Sequence, residues 1–105
     1  MIDKLTIIDF NLDVARTCTE AFSSYDKVEV IAGDFFSIEA DMMVSPANSF
    51  GFMDGGLDLA IRKQFGVQVE EGVRKTIQKD YFGELPVGCS SIVETTDDRW
   101  PFLCV

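Results

Sequence analysis

A chain of 105 residues is the length of about one domain. With 47% hydrophobic residues it can build a core, although so short a domain buries only about two-thirds of its unfolded surface. The net charge of −9 comes without a basic cluster, which argues against a nucleic-acid groove lined by Lys and Arg but leaves room for one nucleotide held by uncharged backbone amides. Cys18, Cys89 and Cys104 are odd in number and widely spaced, a pattern that favours neither a metal site nor a disulfide framework and fits a reducing cytoplasm. The opening residues lack the basic and apolar regions of a signal peptide, and no run approaches the length of a membrane span.

In chain order, Leu5 to Phe10 is β-rich and apolar and reads as a first strand. Asn11 and Asp13 can cap a helix over Leu12 to Ser23, in which Val14, Ala15, Cys18, Ala21 and Phe22 recur at helical spacing. Val28 to Ala32 reads as a second strand that runs into Gly33 and Asp34, and Phe35 to Asp41 is a connector. Met42 to Val44 is a short buried strand, followed by a polar turn with Pro46 and Asn48 and a loop carrying Gly51, Gly55 and Gly56. Leu57 to Phe65 is a helix that Gly66 can end. Val69, Val73 and Ile77, four apart, mark a further helix or a continuation to about Tyr81. Gly83 to Gly88 is a turn region, Ser90 to Thr95 a strand, and Trp100 to Val105 a last strand. No internal repeat, linker or low-complexity segment is evident. Strands alternating with helices predict an α/β sheet covered by helices.

The chemistry concentrates between Met42 and Ile61, where a strand passes through a glycine loop into a helix. Glycines allow close approach of a ligand to the backbone, and the first amides of a helix are unpaired and attract anions. A phosphate-bearing ligand follows. With no histidine in the chain, a Ser-His-Asp triad, a Cys-His pair and a histidine-zinc site are all excluded. The loop is neither a P-loop nor a dinucleotide fingerprint, because it lacks Gly-Lys-Ser/Thr and the G-x-G-x-x-G spacing. General acid–base work falls to carboxylates. No metal and no cofactor is called for.

Gly33-Asp34-Phe35, then Asp41-Met42-Met43-Val44-Ser45-Pro46-Ala47-Asn48-Ser49, then Gly55-Gly56-Leu57-Asp58-Leu59-Ala60-Ile61 resemble, in order and spacing, the macro domain, an ADP-ribose-binding module. Leu85-Pro86-Val87-Gly88 resembles the turn before a later strand of that family, so the resemblance extends over roughly Val28 to Val105. It implies one macro-like α/β domain over residues 1–105, with a mixed sheet between helical layers, short at its C-terminal end. It also implies a ligand-binding set of Asp34, Phe35, Ser45, Ala47, Asn48, Gly55, Gly56 and Leu57. In this set Asp34 accepts from the adenine amino group, Asn48 holds the distal ribose, and the amides of Gly55 to Leu57 wrap the ribose and its phosphate. Each position has a plainer reading beside this one. Asp34 is also a turn residue after a glycine, and Asn48 an Asx-turn residue next to a proline. The glycines may simply serve the turn.

Asp58 corresponds to the carboxylate that the family's hydrolases place beside the ribose anomeric carbon, where it can activate a water. Its place in the first helical turn should keep it ionised, and is also where any helix favours an acid. Phe50 and Phe52 read as core or lid packing more than as flat walls for a ligand. Two positions depart from the family pattern: Ser45 stands in place of an asparagine, and Arg62 in place of a histidine common in the hydrolases. The second glycine loop, which holds the pyrophosphate in the family, has no counterpart here. Three functions follow as alternatives: binding of ADP-ribose or an ADP-ribosyl derivative, hydrolysis of ADP-ribosylated substrates through Asp58, or a non-binding fragment or oligomerisation unit. The apolar C-terminal strand also predicts self-association.

Overall fold

In the computed structural model of the chain, residues 2–105 are described and Met1 lies outside them. The chain divides into two compact units, Met1–Glu39 and Ala40–Val105. The expected α/β class is observed, as a mixed α/β structure in which the strands form two sheets.

In the first unit, β1 (Leu5–Asp9) and β2 (Val28–Ala32) pair in parallel, joined through α1 (Leu12–Ala21). A parallel pair requires such a crossover, and the helix covers the sheet it connects. Asn11 starts α1 because its Oδ1 accepts from the amides of Asp13 at 2.9 Å and Val14 at 3.3 Å, satisfying donors that have no partner in the helix. Asp13 sits in the first turn, where its charge suits the helix N-terminus. Ala15 is the buried apolar residue of this unit, and the strand side chains are only half covered. After β2 the chain makes a single 3-10 turn, Phe35–Ser37.

The second unit holds a three-stranded sheet in the order β3-β5-β4. Here β3 (Met42–Val44) is parallel to β5 (Phe102–Cys104), and β4 (Ile92–Glu94) is antiparallel to it. Period-two alternation sorts the side chains. Met43, Leu103 and Val93 stand in register across the sheet and are buried, whereas Met42, Val44, Ile92 and Phe102 are exposed. Two helices follow the glycine loop, α2 (Gly56–Phe65) and α3 (Val67–Tyr81). They are separate helices, not one. Gly66 breaks them, with φ +96°, a conformation that L side chains rarely adopt; its amide closes α2 on the Arg62 carbonyl at 2.7 Å. Ile61 and Phe65 of α2 and the Val69, Val73, Ile77 stripe of α3 enter the core. Trp100 joins them with its ring edge-on to Phe65 at 5.8 Å.

Leu103 is 0% exposed and central to this sheet. Leu103→Ala leaves a cavity that the flanking strands cannot fill, and should cost about 2–5 kcal/mol of stability. Urea denaturation followed by Trp100 fluorescence measures it; an unchanged midpoint would contradict the packing described.

Candidate functional site

The site is built around the C-terminal end of β3. Ser45 continues the ladder there, its amide donating to the Cys104 carbonyl at 2.9 Å. Pro46 cannot continue it, and the chain leaves the sheet. From Asn48 to Met53 the loop lies against α3 and is fastened at several points. Asn48 Oδ1 accepts from the amides of Phe50 at 3.0 Å and Phe52 at 3.2 Å, while its Nδ2 donates to the Phe52 carbonyl at 2.5 Å. The Met53 amide donates to Glu70 Oε2 at 2.6 Å, and Arg62 Nη1 lies 3.5 Å from the same oxygen. The Ser49 carbonyl accepts from Leu85 N at 2.7 Å. Gly51 has φ +78°, and a Cβ there would come within 3.0 Å of Val73 Cγ1 and of Arg74 Cγ. Only glycine lets the loop lie this close to α3.

Beyond the loop, Gly55 is the extended N-cap of α2 and Gly56 has φ +56°. A Cβ built on either meets nothing within 4 Å, so the space above both is open. Gly55 has no side chain with which to cap the helix, and the first amides of α2 stay available. Leu57 is half-buried.

Asp58 follows in the first turn and is 4% exposed. Ser45, also 4% exposed, donates its hydroxyl to Asp58 Oδ1. Among the described residues no buried side-chain nitrogen or oxygen lacks a partner. The pKa of Asp58 is raised. Burial is the largest cause; the Ser45 hydroxyl opposes it, and the charges of Asp54 and Glu70 add to it. A helix N-terminus alone predicts an easily ionised acid, but here burial and two neighbouring carboxylates outweigh it.

The site residues anticipated from the sequence fall in both units. Ser45, Ala47, Asn48, Gly55, Gly56, Leu57 and Asp58 lie in the second, in one strand–loop–helix passage. Asp34 and Phe35 lie in the first. Asp34 caps the 3-10 turn, its Oδ1 accepting from the Phe36 amide at 2.9 Å, and Phe35 is half-buried with its ring edge-on to Phe36 at 5.4 Å. The plainer turn roles are therefore seen for both Asp34 and Asn48. Asn48 spends both lone pairs of its carbonyl and one N–H on the loop. Ser45 turns its hydroxyl to Asp58. Phe50 and Phe52 are not core residues: they are 51% and 44% exposed, and the Arg74 guanidinium lies 4.3 Å over the Phe52 ring. Glu70 is the contributor that sequence reasoning missed. Glu70 reads only as one position of a helix, and nothing in the sequence marks its bond to an amide 17 residues earlier.

The fold and this passage define an α/β protein with a strand–glycine loop–helix site. The macro-like domain profile matches residues 13–103, and the chain belongs to that family. It is also 35% identical, over 75 residues, to an uncharacterized protein of Aquifex aeolicus strain VF5. The match covers 71% of this chain and 41% of that relative, so the chain spans about two-fifths of the relative's length.

The Ser45–Asp58 pair makes a pH-dependent prediction. A raised folded-state pKa means that the contribution of Asp58 to stability is fully present below its unfolded pKa and is lost as pH rises through the folded value. Asp58→Asn keeps an oxygen for Ser45 and removes the buried charge. It should be more stable than the parent at neutral pH and lose that advantage in acid, by urea titrations at several pH values. In ¹³C-carboxyl NMR titrations, Ser45→Ala should raise the Asp58 pKa further and Ser45→Thr should not. An Asp58 titration unmoved by Ser45→Ala would contradict the pairing.

Proposed function

We propose that this chain binds ADP-ribose or a closely related ADP-ribosyl derivative at the glycine loop and the head of α2. The observation that carries the reading is the strand–glycine loop–helix passage from Ser45 to Asp58, in a chain of the macro-like domain family. Open space above Gly55 and Gly56 and the uncapped α2 terminus suit a phosphate and its ribose, since backbone amides bind an anion without a basic patch. The remaining N–H of Asn48 is left to reach a ribose hydroxyl.

A second reading is hydrolytic, and Asp58 favours it. The carboxylate is buried, has a raised pKa, and lies in the first turn of α2 after the glycine loop. A carboxylate so placed can take a proton from an attacking water at the ribose anomeric carbon. The cytoplasm is the compartment that three free thiols fit.

Calorimetry with ADP-ribose tests the binding reading, and saturable binding is expected. Absence of binding in the parent would leave a non-binding fragment or oligomerisation unit. Release of ADP-ribose from a modified substrate, lost in Asp58→Asn with binding kept, would establish the hydrolase; binding without turnover would leave a reader.

Self-association through the C-terminal strand belongs to the same reading. Met42, Val44, Ile92 and Phe102 are all exposed positions of the three-stranded sheet, and exposed apolar sheet surface favours pairing with a second copy. Sedimentation should show association that rises with concentration and is reduced by Phe102→Lys. A monomer at every concentration would refute it.

A further inference from the structure

The second unit carries a cleft of about 540 Å³ that includes none of the residues from Ser45 to Asn48 or from Gly55 to Asp58. Its size is that of a small-molecule site. One wall is the pair Phe50 and Phe52; the other is a face of α3 bearing Glu71, Arg74, Lys75 and Gln78. Positions 71, 74, 75 and 78 are one helical stripe, adjacent to the buried Val69, Val73, Ile77 stripe.

Three features give this cleft chemical character. The backbone of its aromatic wall is fastened: Asn48 bonds the backbone at Phe50 and Phe52, Glu70 accepts from the Met53 amide, and Gly51 sits against Val73. Both phenylalanines are exposed. The guanidinium of Arg74 lies over the Phe52 ring, which occupies one of its faces and leaves its N–H edge free. Finally, neither Arg74 nor Lys75 has a carboxylate within ion-pair distance among the described residues, in a chain with 18 acidic and 9 basic side chains. Glu71 offsets one of the two positive charges, leaving a surplus of about one.

We propose that this cleft is a second ligand site, for a planar aromatic carboxylate. The aromatic ring packs against Phe50, and the carboxylate takes the free edge of Arg74 in the forked geometry that guanidinium and carboxylate share, with Lys75 adding charge. Gln78 supplies a donor and an acceptor at the far end. The chemistry is the same whether the carboxylate belongs to a free aromatic acid or to the C-terminal aromatic residue of a peptide. Its lining shares no residue with the proposed ADP-ribose site.

Amide chemical-shift mapping on the full chain tests it, with naphthalene-2-carboxylate and a tetrapeptide ending in Phe as probes. Saturable shifts confined to residues 50–52, 71–78 and 83 are expected for at least one probe, and the better binder identifies the source. Naphthalene-2-carboxamide, the neutral isostere, should bind about tenfold more weakly or worse, and Arg74→Gln should lose about as much. Arg74→Lys keeps the charge without the fork and should also weaken binding, which separates recognition from net charge. Unperturbed shifts of the core amides in each variant establish that it is folded. Equal affinity for acid and amide, binding unchanged by Arg74→Gln, or no saturable shift for either probe would overturn the proposal.

Discussion

The attachment of the Asn48–Met53 segment to α3 is the constraint on which the second unit's surface chemistry depends. Loops lie on the surface because their backbone groups need partners. Here Asn48 and Glu70 supply them from side chains. The bond from the Met53 amide to the Glu70 carboxylate is charge-assisted, a class worth about 1.5–3 kcal/mol, and Met53 itself is buried. Gly51 contributes by lacking a side chain. With these contacts in place the chain enters Gly55 and Gly56 in a set conformation, and α2 begins where Asp58 can meet Ser45. The cost of ordering the loop is met in folding, not left for a ligand to meet.

Electrostatics at the head of α2 follow from the same arrangement. Burial chiefly holds the proton on Asp58; Glu70, recruited to hold Met53, adds to the same effect, as does Asp54. Arg62 Nη1 lies 3.5 Å from the same Glu70 oxygen. The position where a histidine was expected therefore carries a cation that serves the loop. Ser45, the other departure from the family pattern, offers Asp58 the one hydrogen bond that favours its charged form. The two departures bear on a single local network.

The sequence made the elements legible because their signals are local. Asn11 before an amphipathic run, alternation over Val28–Ala32, and Val69, Val73 and Ile77 at spacing four each report one element without reference to the rest. The observed spans differ from the expected ones mainly at frayed ends, as with β4, which covers Ile92–Glu94 rather than Ser90–Thr95. The ambiguity at Gly66 was resolved by a backbone angle that sequence cannot display. The site was legible as a list of residues but not as a network. Asn48 and Asp34 were recognised, yet the bonds they make to their own loops depend on backbone paths that only folding sets. The exposure of Phe50 and Phe52 departs from core packing, one of the two packing roles expected of them, because apolar composition does not reveal which way a pinned loop turns. Glu70 was invisible because its partner is an amide, and every residue but proline has one.

The central claim is that the glycine loop is ordered before any ligand arrives. Native-state amide hydrogen exchange on the ligand-free protein tests it most directly. Phe50, Phe52 and Met53, whose amides donate to Asn48 and Glu70, should be protected to a degree comparable with the amides of α3. ADP-ribose should change that protection little. Rapid exchange at all three amides in the free protein, with protection appearing only on addition of ADP-ribose, would contradict it.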